Sequence, residues 1–185
     1  MKTVVVSLES ISPYSQSRYY DTPKLDKEIP KDYEARTWRD RMHVNADGNV
    51  FMPPMAFKNC LAEVAKYLSV KIPGKRNATY TKHFLSGILV TDAIVLDVRK
   101  EDVQGEWLFV PSDGKTGGGS RVLKCFPCIQ HWAGDVTYYI LDETITEEPF
   151  RTHLEAAGNF IGVGRFRPAR GGYYGRFKVN EMIWQ

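Results

Sequence analysis

Apolar positions along this chain fall into two periods, one near two residues and one near 3.6, separated by polar stretches without a period. Thr3 to Ile11 is rich in Val and Ile and predicts a strand. Ser12 to Tyr33 is dominated by Ser, Tyr, Pro, Asp and Lys, and predicts a long loop or insertion. Trp38, Met42 and Val44 then precede Asn45-Ala46-Asp47-Gly48-Asn49, where Asp-Gly ahead of Val50-Phe51 predicts a hairpin. Behind Pro53-Pro54, the residues Phe57, Leu61, Val64, Ala65 and Leu68 recur at helical spacing, with Lys58, Glu63 and Lys66 mostly on the other face. Proline suits the first turn, where its missing N–H has no helical partner.

Lys71 to Lys82 is basic and polar and predicts a loop. Ile88 to Val98 predicts one strand, Trp107 to Val110 another, and Arg121 to Ile129 and Asp135 to Leu141 two more. Gly117-Gly118-Gly119 lies in a loop joining two of these strands. Thr144 or Thr146 is placed to cap a second helix, Thr144 with Glu147 in capping-box spacing. Phe150, Leu154 and Ala157 form its apolar face, and Gly158 is the expected left-handed stop. A glycine-rich loop follows, and Tyr174 to Trp184 predicts a closing strand.

Stripped of insertions, the order is βαββαβ. It predicts an α+β protein with a ferredoxin-like, RRM-like antiparallel sheet and both helices on one face. The open sheet face is where related RNA-recognition folds hold single strands. We read residues 1–185 as one domain, with 12–52 as an insertion or hairpin, 99–130 as a hairpin or thumb, and 161–179 as glycine-rich loop and following strand.

Composition narrows this only slightly. With 43% hydrophobic and 12% aromatic residues, the chain can build a core. No apolar run reaches the roughly 18 residues of a membrane helix, and the short apolar start does not read as a signal peptide. The odd cysteine count, Cys60, Cys125 and Cys128, predicts reduced thiols and a cytoplasmic setting. Net charge is only +3, but its distribution is uneven. Arg165, Arg167, Arg170, Arg176 and Lys178 fall between Gly162 and Lys178 with no acid among them, which suits a polyanion.

That stretch, Ile161 to Val179, carries the chemistry. Glycine lets a ligand approach the main chain, successive amides can point at one phosphate oxygen, and arginine adds planar donors. Phe166, Tyr173 and Tyr174 are able to stack on unpaired bases. The segment lacks the Gly-Lys-Ser/Thr of a nucleotide P-loop. It follows a helix, where a dinucleotide fingerprint would follow a strand.

In this position the segment resembles the C-terminal glycine-rich loop of the RAMP superfamily, the RNA-binding proteins of CRISPR systems. Val50 to Leu61 is similar to the strand, proline and helix-start segment of the backbone subunits of CRISPR effector complexes. It has Pro54-Met55-Ala56 where the family has a Pro-Gly-Ser-Ser-like turn, and Asn59 where glycine is usual, while Lys58 stands at the matching place.

The resemblance implies binding of single-stranded or guide RNA without catalysis, and self-assembly or union with effector subunits. On it, Lys58, Gly162, Gly164, Arg165, Arg167, Arg170 and Arg176 hold phosphates. Lys82, Arg121 and Lys124 extend the path, and Lys115 sits on a thumb. No cofactor and no metal are expected. Cys125-Phe126-Pro127-Cys128 with His131 falls short of four zinc ligands, and residues three apart on a strand face opposite ways.

Two alternatives accompany this reading. One is a reduced, virus-borne relative, an anti-CRISPR protein whose basic surface meets such a complex. The other is a metal-independent endoribonuclease in which His43 deprotonates a 2′-hydroxyl while Arg39 or Arg41 holds the phosphate. His83, in the basic and aromatic stretch Tyr80 to Phe84, is read as ordinary surface, with a strand that contacts RNA as the alternative.

Overall fold

The computed structural model describes residues 1–112, 114 and 119–185, so Lys115 lies outside the described residues. Strand β1 (Lys2–Ser10) alternates strictly: Val4, Val6 and Leu8 are buried, while Thr3, Val5, Ser7 and Glu9 face outward. An extended segment follows, pinned where Tyr14 and Ile129 exchange backbone hydrogen bonds of 2.8 and 2.9 Å. Helix α1 (Pro30–Thr37) and a 3₁₀ turn (Trp38–Arg41) come next, then β2 (Asn49–Met52) behind a tight turn at Gly48. Val44 and Val50 bridge across that turn.

Helix α2 (Pro54–Leu68) starts on its proline and buries Phe57, Cys60, Leu61, Val64 and Ala65 against the sheet. It ends at Ser69 in a left-handed conformation, whose N–H bonds the Ala65 carbonyl. Helix α3 (Thr81–Ser86) precedes β3 (Ile88–Val90), β4 (Ile94–Arg99), β5 (Gln104–Pro111), β6 (Arg121–Cys128) and β7 (Ala133–Ile140). Helix α4 (Glu147–Ala156) and β8 (Phe177–Trp184) complete the order.

Four strands form the main sheet in the order β3-β7-β1-β8, every neighbour antiparallel. With α2 and α4 as the two crossovers, this is the ferredoxin-like arrangement. Two small ribbons are added, β2 with β4 and β5 with β6. No described helix is long and apolar enough to cross a membrane.

Four local expectations are corrected. Ile88 to Val98 is not one strand: β3 joins the main sheet, and β4 turns away to pair with β2. Tyr80 to Phe84 is not a strand but the start of α3, whose Phe84 stacks on Phe150 and His153. The Thr144 capping box does not form; Thr146 is the residue before α4 and makes no side-chain cap. Gly158 does not stop the helix. It continues into a π turn (Ala157–Ile161), where an added Cβ would overlap the Phe177 carbonyl, and Gly162 at φ 70° makes the stop.

Candidate nucleic-acid interface

The glycine-rich loop leaves the π turn and docks on the segment after β1. Arg165 N–H donates to the Ser15 carbonyl at 2.8 Å, Gly175 N–H to the Pro13 carbonyl at 2.8 Å, and Arg176 N–H to Ser12 Oγ at 3.0 Å. Val163 N–H closes the loop on the Gly175 carbonyl at 3.0 Å. Gly164 lies at φ 82°, and a Cβ there would sit 2.5 Å from the Ser15 carbonyl oxygen and clash with the edge of the Tyr14 ring. These glycines admit the protein's own main chain. The amides of Gly162, Val163 and Arg165 are therefore spent internally, which corrects the expected cradle of successive N–H groups.

What the loop presents is Arg165. Its guanidinium lies 3.4 Å from the centroid of the Phe126 ring, a close cation–π contact that fixes its plane. Burial pulls its pKa down, and its Nη1 is buried with no acceptor among the described residues. Phe166 beside it holds φ 51°, a strained conformation for an aromatic residue, and its ring is exposed.

Arg165 opens into a cleft of about 280 Å³ lined also by Gly164, Gln16, Arg18, His43 and Ala56. No carboxylate of the described residues lines it. Pro53, which precedes α2, borders the same cleft, and the first turn of that helix holds no acid. The positive end of the helix is thus uncompensated. Arg18 is exposed and forms no ion pair among the described residues. His43 donates its backbone N–H to Gln16 Oε1 at 2.6 Å and rests its ring against Phe51. Burial, then the Arg18 charge, lowers its pKa, so the ring is neutral near pH 7.

A second cleft of about 250 Å³ adjoins the first, between Asn59, Cys60, Gly162 and Arg167. Arg167 is held there by Glu63, with Nη2 to Oε2 at 2.7 Å. Beyond this pair a third cleft contains Arg176. Gly162, Gly164, Arg165, Arg167 and Arg176 therefore share one track along α2.

The other candidates lie elsewhere. Lys58 sits five residues before Glu63, roughly 140° around the helix, and its Nζ donates to the Leu85 carbonyl of α3 at 2.7 Å. Lys82 is exposed on α3, on that same flank. Arg121 and Lys124 belong to the β5–β6 ribbon. Arg121 reaches the Phe109 carbonyl at 3.4 Å, and Lys124 pairs with the buried Glu34 at 3.0 Å. Arg170 is exposed on a 3₁₀ turn (Pro168–Arg170).

Arg18 escaped the sequence reading because it stands alone in a Ser- and Tyr-rich stretch. Its only signal was a cation between aromatic residues. Arg41, expected beside His43, is buried and bound to Glu34 at 2.8 Å, and Arg39 stacks on Trp38 at 4.2 Å. His83 pairs with Asp142 at 2.6 Å, at the sheet end of α3. Cys125 and Cys128 lie on opposite faces of β6, and burial raises the Cys125 thiol to about 11.

The open face of the main sheet is unsuited to phosphates. By register it displays Glu9, Asp135 and Glu181, with Lys178 as a cation already bound to Glu9 at 3.0 Å.

No protein-family model matches this sequence, and no curated protein matches it. Solved structures do. A chain in a structure of the type III-B Cmr-beta complex bound to cognate target RNA superposes with a TM-score of 0.54 and 11% identity, over 99% of this chain and 60% of that one. The chain thus spans about three-fifths of that relative's length. Cmr6 from Pyrococcus furiosus gives a TM-score of 0.49 and 12% identity, over 96% of this chain and 97% of Cmr6. At such identity the likeness concerns the fold. This chain shares the ferredoxin-like fold of the Cmr-beta chain, with two small ribbons added to the main sheet.

Proposed function

We propose that this protein binds single-stranded RNA without cutting it, as a subunit of a CRISPR-type ribonucleoprotein. The observation that carries the reading is the cleft at the start of α2. Arg18, Arg165 and an uncompensated helix end border one space that no carboxylate of the described residues lines. Each suits a phosphodiester oxygen, and the helix end adds to the two cations. The acidic sheet face leaves this side of the molecule as the favoured path. The fold shared with a chain of an RNA-bound complex is consistent with it.

Among the residues expected from the sequence, Gly162 and Gly164 serve by shaping the loop, and Arg165, Arg167 and Arg176 by charge. Lys58, Lys82, Arg121, Lys124 and Arg170 lie off the track and serve at most at the edges of a larger assembly.

The test is the salt dependence of affinity for an unstructured RNA. Changing Arg18 and Arg165 to Ala removes two phosphate contacts, so the slope of log K against log salt flattens by about 1.4. An unchanged slope removes the proposal.

One observation favours a second reading, a metal-independent endoribonuclease. The neutral imidazole of His43 shares the cleft with Arg18 and Arg165, an arrangement able to accept a 2′-hydroxyl proton beside a held phosphate. Cleavage of short hairpin RNAs, lost in His43→Ala, supports it; intact RNA with the wild-type protein ends it.

A further inference from the structure

The geometry points to a nucleobase subsite at the far end of the track, where the third cleft takes one unpaired base of a bound RNA strand on Tyr67 and Phe160. The inference rests on the RNA reading above and deepens it by assigning where a base, rather than a phosphate, is held.

Three observations meet in this cleft. The first is its aromatic wall. Tyr67 is 63% and Phe160 52% exposed, although Phe57, Phe84 and Phe150 are fully buried. The two rings touch, with centroids 5.8 Å apart and planes 33° from parallel. They come from different elements, Tyr67 from the last turn of α2 and Phe160 from the π turn. That π turn buries Ile161 and its neighbour Ala157 while leaving Phe160 outside. Irregular turns of this kind are uncommon inside helices and concentrate at functional sites. A pair of adjacent exposed rings offers a stacking platform that any base can use.

The second observation is size. The cleft holds about 540 Å³, and Pro168 and Ala169 also line it. That is within the range of small-ligand sites and ample for one nucleotide.

The third is charge. Lys66 and Arg176 line the cleft and form no ion pair among the described residues. Arg176 spends only Nε, on the Asn159 carbonyl at 3.1 Å, so its two Nη groups remain for a ligand. Glu63, the one acid in the lining, is already neutralised by Arg167. A purely apolar ligand would leave these cations unused. A planar, anionic ligand uses both features, the ring on the aromatic wall and the phosphate on Arg176 and Lys66.

Position agrees. From Ala56, in the first cleft, to Tyr67 is eleven residues of α2, about 16 Å along its axis. The track between them passes the Arg167–Glu63 pair. A strand anchored at Arg165 and running beside α2 therefore arrives at this platform.

The experiment measures affinity for a mixed-sequence single-stranded RNA, at several salt concentrations, with Tyr67→Ala, Phe160→Ala, the double variant and Tyr67→Phe. Both side chains are exposed, so folding is retained; circular dichroism checks it. The double variant should weaken binding roughly tenfold while the salt slope stays that of the wild type, because stacking releases no counterions. Tyr67→Phe should keep wild-type affinity. An RNA with a single abasic sugar scanned along its length should lose affinity at one register in the wild type and at none in the double variant. If wild-type protein binds RNA and the double variant binds equally well, the subsite is refuted while the phosphate track stands. If the wild type binds no RNA, both fall together.

Discussion

The Arg167–Glu63 pair yields the least intuitive consequence of this arrangement. Glu63 holds the cation in the middle of the track, so it competes with RNA for Arg167. Glu63→Gln keeps size and shape and removes the competitor. The pair is partly open to water, with side-chain exposures of 24% and 33%, so its contribution to folding is small, about 0–1 kcal/mol. For a chain of 185 residues that corresponds to a melting-point loss of no more than about 2–4 °C.

Binding should move the other way. One freed arginine adds one phosphate contact, which steepens the salt slope for a single strand by about 0.7 and near 0.1 M salt raises affinity roughly fivefold. Fluorescence anisotropy with a labelled RNA across a salt series measures both quantities. An affinity that falls, or a slope that does not change, refutes the placement of Arg167 on the RNA path.

Other outcomes follow from the same structure. Glu34 is 1% exposed and receives Arg41 at 2.8 Å, Lys124 at 3.0 Å and the Cys125 N–H at 2.8 Å. Glu34→Ala strands a buried guanidinium and should cost about 3–5 kcal/mol in denaturant unfolding, against a small loss for Lys124→Ala. Gly164→Ala forces a left-handed residue and pushes a methyl into Tyr14, so both stability and RNA affinity should fall, the former by at least about 1–2 kcal/mol. His153 is fully buried, its pKa lowered by burial, with Nδ1 on the Pro149 carbonyl at 2.6 Å. The folded state favours the neutral ring, so stability is full above the ordinary imidazole pKa and declines as pH falls below it. Unfolding midpoints at pH 7.5 and 5 should differ less in His153→Phe than in the wild type; an equal difference contradicts that assignment.

The regular parts of the fold were legible because they repeat a period. Val4, Val6 and Leu8 announce a strand with one buried face, and Phe57, Leu61, Val64 and Leu68 announce a helix. What escaped was structure held by single long-range contacts. Helix α1 has a polar sequence, and its buried anchor Glu34 binds Lys124 and Cys125 some ninety positions later. Helix α3 has six residues, too few to show a period, and depends on Phe84 packing on α4 and on Lys58 meeting the Leu85 carbonyl.

The site divides in the same way. Arg165 and Arg167 stood out as a local run, and their loop does face α2. Arg18 became visible only when the fold brought it beside them. The glycines were expected to admit a ligand to the main chain. What approaches Gly164 is the chain segment Tyr14 to Ser15, a pairing that no local pattern encodes.

Photo-crosslinking tests the central claim most directly: an RNA carrying 4-thiouridine is irradiated with the wild-type protein, and the joined peptides are identified by mass spectrometry. The account predicts adducts on Tyr14 to Arg18, on α2 from Met55 to Tyr67 and on the loop from Phe160 to Ala169, the segments that supply the lining of the three clefts. Adducts concentrated instead on Val5, Tyr139 and Ile183, across the acidic sheet face, would contradict it.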